Sequence, residues 1–158
     1  MAFTERLFLS LRLGPQAVRR LVGQIEPFRY DVAVVEGRFT LREEVAHLAD
    51  CESLFLARIV QTVERPGTTV AGFDETVRAA AQGYGSWEVK ASLDMFERER
   101  ERTVGYLENM SQEDFDKVGP HETRGPMSAL EYAWGIVGHD VYHIEHLTRY
   151  ASIRLTGG

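Results

Sequence analysis

Two histidines lie four residues apart in the segment His139-Asp140-Val141-Tyr142-His143. In an α-helix, four residues turn about 40° beyond one full turn, so both imidazoles would lie on one face, about 6 Å apart along the axis. This geometry allows two histidines to bind one divalent ion. The alternative is a pair of partly buried histidines that only make hydrogen bonds. His146 continues the same stripe and is a candidate extra ligand.

A third histidine, His47, lies beside the apolar face of an earlier predicted helix. Alone, a histidine in this position is more commonly structural. Together with His139 and His143 it would complete a three-histidine site, which leaves a coordination position open for water or substrate, as in catalytic metal sites. Cys51, one turn after His47, is either a fourth ligand, a redox-sensitive thiol or a small core residue, the usual role of a lone cysteine on an apolar face.

Three charged residues occupy positions where the helical pattern requires apolar ones: Glu52, Arg100 and Asp140. Buried charges are costly unless they are paired. We expect Arg100 either to pair with Asp140 or Glu52 beneath the site or to offer its guanidinium to an anionic substrate. The alternative is that the rotation of the helices places some of the three at the surface. Glu52, Arg100 and Asp140 are thus candidates to support the metal ligands or to line the substrate pocket. No residue is identified as a catalytic acid or base.

Hydrophobic periodicity predicts four long helices, and therefore an all-α four-helix bundle with short accessory helices in the loops. Thr40 and Glu43 fit a capping box at the start of the second helix, as do Ser128 and Glu131 at the start of the fourth. The pattern of the fourth helix places Val141 within its apolar arc. The long helices are expected over about 2–13 with a new segment from Pro15, 40–65, 86–110 and 128–154, and loops over 26–39, 68–86 (with one or two helical turns near 74–81) and 111–127.

The composition is that of an ordinary globular protein, with 158 residues, 44% hydrophobic and 27% charged. The length predicts a single domain over residues 1–158. The formal net charge of −6 and the lack of a basic run argue against a nucleic-acid partner. One cysteine excludes a disulfide scaffold, and no apolar run reaches the roughly 20 residues of a membrane span. Because no secretory signal is recognisable near the start, we expect a cytoplasmic protein.

Motifs for other chemistries are absent from the sequence. No Gly-rich phosphate-binding motif follows a predicted strand, and no GxSxG nucleophile motif is present. The helices also lack the glutamates and paired Glu-x-x-His motifs of di-iron bundles, which disfavours a dinuclear oxygenase. The three-histidine site is therefore the main candidate for chemistry.

Two segments resemble the DinB-like superfamily of four-helix bundles, which includes YfiT-like metal-dependent hydrolases and thiol-dependent transferases. They are Glu43-Glu44-Val45-Ala46-His47-Leu48-Ala49-Asp50 and Gly138-His139-Asp140-Val141-Tyr142-His143. The stretch from Phe96 to Arg100 and the Gly-Pro-Met-Ser segment before the last helix are also similar, so the resemblance covers roughly residues 5–153.

The resemblance implies that His47, His139 and His143 bind one divalent metal, most often nickel or zinc, and that the protein is a homodimer. His146 stands where many relatives carry glutamine, which leaves the number of ligands open. A metal-dependent enzyme with a small-molecule substrate is implied, which activates either water, as a hydrolase, or a low-molecular-weight thiol, as a transferase. The alternatives are a stress-related metal-binding module without turnover and a dimeric structural bundle whose histidines belong to the core.

Overall fold

The computed structural model describes residues 3–152, and four long helices account for most of them. The all-α four-helix bundle predicted from the sequence is confirmed, with two short helices in its connections. Two 3₁₀ turns, over Pro27–Arg29 and Tyr84–Ser86, complete the helical elements of this part of the chain. The helices are α1 (Phe3–Val22), α2 (Leu41–Glu64), α3 (Glu75–Gln82), α4 (Val89–Glu108), α5 (Gln112–Asp116) and α6 (Ala129–Ser152).

The long helices pack so that α1 and α2 occupy opposite corners of the bundle. Helix α1 packs mainly against α4 and α6, and α2 packs against the same two helices. Residues of α2 and α6 therefore face each other directly, which is what a site shared by His47 and His139 requires. Within residues 3–152, none of the helices combines the length and the apolar character needed to cross a bilayer.

Both predicted capping boxes are present. Thr40 accepts a hydrogen bond from the backbone N–H of Glu43, whose carboxylate accepts one from the N–H of Thr40 at 2.9 Å. The same reciprocal pair joins Ser128 and Glu131 at the start of α6. Each box satisfies two backbone donors that have no partner within the helix. The predicted end of α6 at Arg154 and start of α1 at residue 2 lie outside the described residues.

The predicted break at Pro15 is wrong, because α1 runs through this residue without interruption. A proline inside a helix has no N–H to donate to the carbonyl four residues earlier, here that of Leu11. In the structure that carbonyl accepts a hydrogen bond of 2.7 Å from Nη1 of Arg100. A buried side chain of α4 thus replaces the missing backbone donor and compensates for the proline.

The segment 111–127, predicted as a loop, contains α5 and a small β-hairpin. Strand β1 (Val118–His121) pairs antiparallel with β2 (Gly125–Ser128), which leads directly into α6. Gly125 adopts a positive φ of 79° where the chain reverses, a conformation that side chains disfavour. The hairpin was missed because Pro120 and Pro126, which read as loop signals, lie in a two-stranded ribbon that needs few backbone donors.

The core consists of two apolar clusters with a layer of buried charges between them. One contains Val18, Leu48, Phe96 and Leu147, and the other contains Leu11, Ile59, Val104 and Ile136, together with their neighbours. Arg100, Glu52 and Asp140 lie between the clusters along their respective helices, and each is at most 2% exposed. The alternative that helix rotation places them at the surface is therefore excluded.

Arg100 binds both carboxylates through paired hydrogen bonds. Its Nε and Nη2 donate to Glu52 at 2.9 and 2.6 Å, and its Nη1 and Nη2 donate to Asp140 at 2.7 and 2.8 Å. Burial opposes the charge of Arg100, but the hydrogen bonds to Asp140 and Glu52 outweigh it and raise the pKa of the guanidinium. The side chain therefore remains a cation. Arg100 thus pairs with both carboxylates, and its N–H donors are used within the bundle.

Gly14 is required by this charged layer. A Cβ atom built on Gly14 would lie 2.0 Å from Oδ2 of Asp140 and 3.2 Å from Nη1 of Arg100. We expect Gly14→Ala to lower the free energy of unfolding by about 2–4 kcal/mol, because it displaces a buried ion pair. The helix interior at Gly105 has no atom within 4 Å of such a Cβ.

Gly105→Ala is therefore the matched control, and we expect it to raise the unfolding free energy by up to about 1 kcal/mol, the usual gain of alanine in a helix. Urea denaturation of both variants measures the two effects. Equal effects of the two substitutions would contradict the close approach of α1 to the charged layer.

Candidate metal centre

The structure brings His47, His139 and His143 together at the interface of α2 and α6. Nε2 of His139 lies 3.1 Å from Nε2 of His47 and 3.0 Å from Nε2 of His143. A ring nitrogen has a single in-plane hydrogen-bonding direction, as an N–H or as a lone pair. His139 can therefore make at most one of these two contacts as a well-formed hydrogen bond, and ordinary hydrogen bonding does not explain the convergence of all three.

The spacing of the three nitrogens fits coordination of a single ion. Zinc–nitrogen bonds of about 2.0–2.1 Å in a tetrahedral site place two ligand nitrogens about 3.3 Å apart. The observed 3.0 and 3.1 Å are close to this value. The donor set of three imidazoles is also one that divalent zinc and nickel accept. The residues present thus fit a divalent cation.

Glu44 sets the orientation of His143. Oε1 of Glu44 lies 2.5 Å from Nδ1 of His143 and 3.0 Å from Nδ1 of His146. Burial opposes ionisation of Glu44, but the hydrogen bond and charge of His143, with a smaller effect of His146, lower its pKa. An ionised Glu44 accepts an N–H from Nδ1 of His143, and in the neutral tautomer that carries this N–H the lone pair is on Nε2, 3.0 Å from Nε2 of His139. Such a carboxylate–histidine pair is common behind metal ligands.

His146, the candidate extra ligand, contacts the site through Glu44. It is 7% exposed, and its Nδ1 shares the same carboxylate oxygen with His143. Its Nε2 is buried and has no hydrogen-bond partner among the described residues. The carboxylate of Glu44 is therefore the contact that links His146 to the three-histidine site.

Aromatic rings enclose the three imidazoles. Phe39 contacts the ring of His47 with centroids 5.4 Å apart, Phe55 lies edge-on to His139 at 4.9 Å, and Tyr142 lies edge-on to His143 at 5.1 Å. These rings restrict rotation of the imidazoles and exclude water from their faces. Rigid ligands lose less conformational entropy when they bind an ion.

The same enclosure keeps the imidazoles neutral. Burial, followed by the charge of His143, lowers the pKa of His47 to about 4. Burial, followed by the charges of His143 and His47, lowers the pKa of His139 to about 2. Metal ions bind the neutral imidazole, so both side chains are in the binding form at neutral pH.

Cys51 also lies close to the histidines. Its Sγ and the ring nitrogens of His47 and His139 all lie within 4.8 Å of one another. Sγ lies within hydrogen-bonding distance of both ring nitrogens of His47, 3.6 Å from Nδ1 and 3.7 Å from Nε2. Burial raises the pKa of the thiol to about 12, followed in effect by the charge of Asp50. In the metal-free protein the thiol is therefore protonated and packs as a small side chain beside His47.

A short accessory helix completes the walls of the site. Asp50 of α2 accepts hydrogen bonds from Arg78 of α3 at 2.5 and 2.8 Å and from the hydroxyl of Tyr84 at 2.6 Å. These contacts hold α3 against the bundle. Glu75 is the first residue of α3, and its Oε2 lies 3.9 Å from Nε2 of His47. The side chain of Glu75 is 61% exposed.

Three adjoining cavities open around the histidines. The first, of about 380 Å³, reaches His139, the second reaches His143, and the third reaches both His47 and His139. Glu75 lines all three. A small molecule in any of them would approach the imidazoles from the side that the bundle leaves open.

Several of these residues could not be assigned from the sequence. In the sequence, Glu44 stands out only as a member of the segment 43–50, and Glu75 lies in the helical turns expected near 74–81, where no residue is a candidate for chemistry. The apolar arc of α6 was also wrong at Val141, which is 61% exposed, whereas His143 is buried. Glu52 and Asp140 belong to the charged layer with Arg100, directly behind the histidine-bearing turns of α2 and α6.

Comparisons with known proteins point to one family. A family model of the DinB superfamily matches residues 10–147. A protein of Oceanobacillus iheyensis named "Putative metal-dependent hydrolase" is 26% identical over 112 residues, which cover 71% of this chain. The matched region is 64% of that relative's length.

Solved structures agree on the fold. Bacillus subtilis YfiT, described as a "probable metal-dependent hydrolase with an unusual four-helix bundle topology", superposes with a TM-score of 0.87 and 18% identity. The match covers 96% of this chain and 88% of YfiT. A mycothiol-dependent maleylpyruvate isomerase superposes with a TM-score of 0.74 and 16% identity, over 90% of this chain and 60% of the isomerase. At these identities the likeness concerns the fold alone.

The depressed pKa of His139 predicts a dependence of stability on pH in the metal-free protein. The unfolded chain binds a proton on this histidine near pH 6.5, whereas the folded chain does so only near pH 2. Its contribution to stability is therefore complete above pH 6.5 and is lost as the pH falls below that value. The expected loss is about 1.4 kcal/mol per pH unit.

The measurement is the unfolding free energy of the chelator-treated protein in urea at several pH values between 6.5 and 4.5. His139→Gln removes the titrating ring, and the difference in slope between wild type and variant isolates this residue from the other groups. Parallel slopes would contradict a neutral His139 at this half-buried position.

Proposed function

The chain belongs to the DinB superfamily, and on this basis we propose that it is a metal-dependent enzyme that holds one divalent ion on His47, His139 and His143. The observation that carries the proposal is the convergence of three Nε2 atoms, at 3.1 and 3.0 Å, next to cavities large enough for a small molecule. Nickel and zinc are the ions that we propose, because both accept imidazole nitrogen.

The roles of the protein's own residues follow from their contacts. Glu44 holds the Nδ1 proton of His143 and so keeps its Nε2 lone pair available. The ion, when bound, supplies Lewis-acid activation of a nucleophile, which is either water or a low-molecular-weight thiol. Glu75 is exposed and lies beside His47, where its carboxylate can accept the proton that the nucleophile loses.

Water and a thiol lead to different reactions on a small-molecule substrate. With water the protein is a hydrolase, the activity in the names of the relatives, and with a thiol it is a transferase or a thiol-dependent isomerase. The homodimer and the cytoplasmic location expected from the sequence stay predictions.

Metal content tests the ligand set. After loading with zinc or nickel and dialysis, we expect about one ion per chain in the wild type and loss of most of it in His47→Ala, His139→Ala and His143→Ala. Elemental analysis measures the content. Cys51→Ala and His121→Ala are matched controls that should keep the ion, because neither residue belongs to the three-histidine set. A wild type without bound metal, or equal content in all variants, would refute the site.

Substitution of Glu75 tests the proposed proton acceptor. The probe reaction is cleavage of 4-nitrophenyl acetate by the metal-loaded protein, alone and with N-acetylcysteine, which separates the water and thiol reactions. We expect Glu75→Gln to lower kcat by about 10²–10⁴-fold while metal content stays unchanged. The neighbouring Thr76→Ala is the control and should retain activity. Unchanged kcat in Glu75→Gln would remove this residue from the mechanism.

A further inference from the structure

Arg58 is a buried cation without an acidic partner. Its exposure is 9%, and no carboxylate of residues 3–152 lies within the 4.0 Å of an ion pair with it. Nη2 donates to the carbonyl of Ala71 at 3.1 Å, and the guanidinium lies 4.9 Å from the centre of the Phe73 ring. Arg100, in contrast, is 1% exposed and has two carboxylate partners. A buried charge without a partner is costly, which makes Arg58 an unusual feature.

Two buried polar atoms near Arg58 also have no hydrogen-bond partner within the described chain: Nε2 of His121 and the hydroxyl of Tyr132. Each residue is 5% exposed. Nδ1 of His121 accepts the backbone N–H of Thr123 at 3.2 Å, so it carries the lone pair and Nε2 carries the proton. Burial, followed by the charge of Arg58, lowers the pKa of His121, which keeps the ring in this neutral form.

These side chains line two of the cavities that open onto the candidate metal centre. Arg58 and Arg124 line both the cavity that reaches His139 and the cavity that reaches His47 and His139. Tyr132 lines the first of these cavities and His121 lines the other. Arg124 is exposed at the turn of the hairpin, and its charge adds to that of Arg58. Two cations and two neutral donors thus surround one region, and Glu75, beside His47, is a carboxylate that lines both cavities.

We infer that Arg58, Arg124, His121 and Tyr132 form a subsite for the anionic group of a small organic molecule, a carboxylate or a phosphate. An anion there would supply the partner that Arg58 lacks and the acceptor that the orphaned Nε2 and hydroxyl lack. The apolar Phe55 and Met127 line the cavity that reaches His139 and would contact the organic part of the molecule. The ligand would then extend from the subsite toward His139.

The inference deepens the proposed function by naming the substrate class, and it rests on that function only for the position of the reacting group. Anion binding itself requires the donors of this subsite, which belong to the second half of α2, the hairpin and the first turn of α6. The metal ligands and the anion subsite use different residues, so the two can be tested separately.

Calorimetric titration with benzoate, phenyl phosphate and benzamide tests the subsite in the zinc-loaded protein and again after chelator treatment. Benzamide has the shape of benzoate without its charge. We expect benzoate or phenyl phosphate to bind at least about tenfold more tightly than benzamide, because only the anions match the charge of Arg58. A higher affinity for one of the two anions identifies the carboxylate or the phosphate as the preferred group. Comparison of inorganic phosphate with phenyl phosphate shows whether the phenyl ring adds to the affinity.

Matched variants assign the effect to this location. We expect Arg58→Gln to weaken anion binding by about 10–100-fold and Tyr132→Phe by about 2–10-fold, with metal content unchanged in both. Arg98→Gln on α4 removes the same charge from an exposed position and is expected to leave binding unaltered. Tyr132→Phe keeps the inference testable if Arg58→Gln does not fold.

The possible outcomes separate this inference from the proposed function. Equal affinity for benzoate, phenyl phosphate and benzamide would overturn the subsite, as would equal anion affinity in Arg98→Gln, Tyr132→Phe and folded Arg58→Gln. Anion binding that depends on Arg58 in a protein that retains no zinc after loading and dialysis would support the subsite and refute the metal centre. Metal binding by the three histidines without anion binding would support the metal centre and refute the subsite.

Discussion

The buried guanidinium of Arg100 is the interaction on which the arrangement of the four long helices depends. Arg100 belongs to α4. Its guanidinium binds Glu52 of α2, Asp140 of α6 and the backbone carbonyl of Leu11 in α1, so it joins all four long helices. Buried ion pairs add little net stability compared with apolar packing, but removal of one partner costs about 3–5 kcal/mol. Any slip of one helix along another would break this network, so it fixes the axial register of the bundle.

That register brings the histidines together. His139 precedes Asp140 directly, and His47 lies five residues before Glu52, so the contacts of Arg100 with both carboxylates place these turns of α6 and α2 opposite each other. Glu44 and the surrounding aromatic rings then orient the imidazoles, while burial keeps them neutral. The charged layer and the candidate metal centre are therefore consecutive layers of one bundle, the first buried and the second open on one side.

The open side is built by the connections between the long helices. Helix α3, held by Asp50, brings Glu75 beside His47, and the hairpin brings His121 and Arg124 beside Arg58. Functional side chains often lie on such connections, because a rigid scaffold allows them to vary without loss of the core. The bundle thus accounts for the histidines, and the connections account for the shape and charge of the cavities.

Local spacing along the chain was sufficient to predict three of the long helices without interruption, the two capping boxes and the shared face of His139 and His143, since each of these features lies within one segment. The sequence also indicated Glu52 and Asp140 as candidate partners of Arg100, because an isolated buried charge is costly, but it left contact with a substrate or with solvent open. Tertiary structure alone decided that α1 continues through Pro15, because the compensating donor comes from α4. It also decided the roles of Glu44, Glu75 and Arg58, whose contacts join segments far apart in the chain, and no periodicity within one segment encodes such contacts.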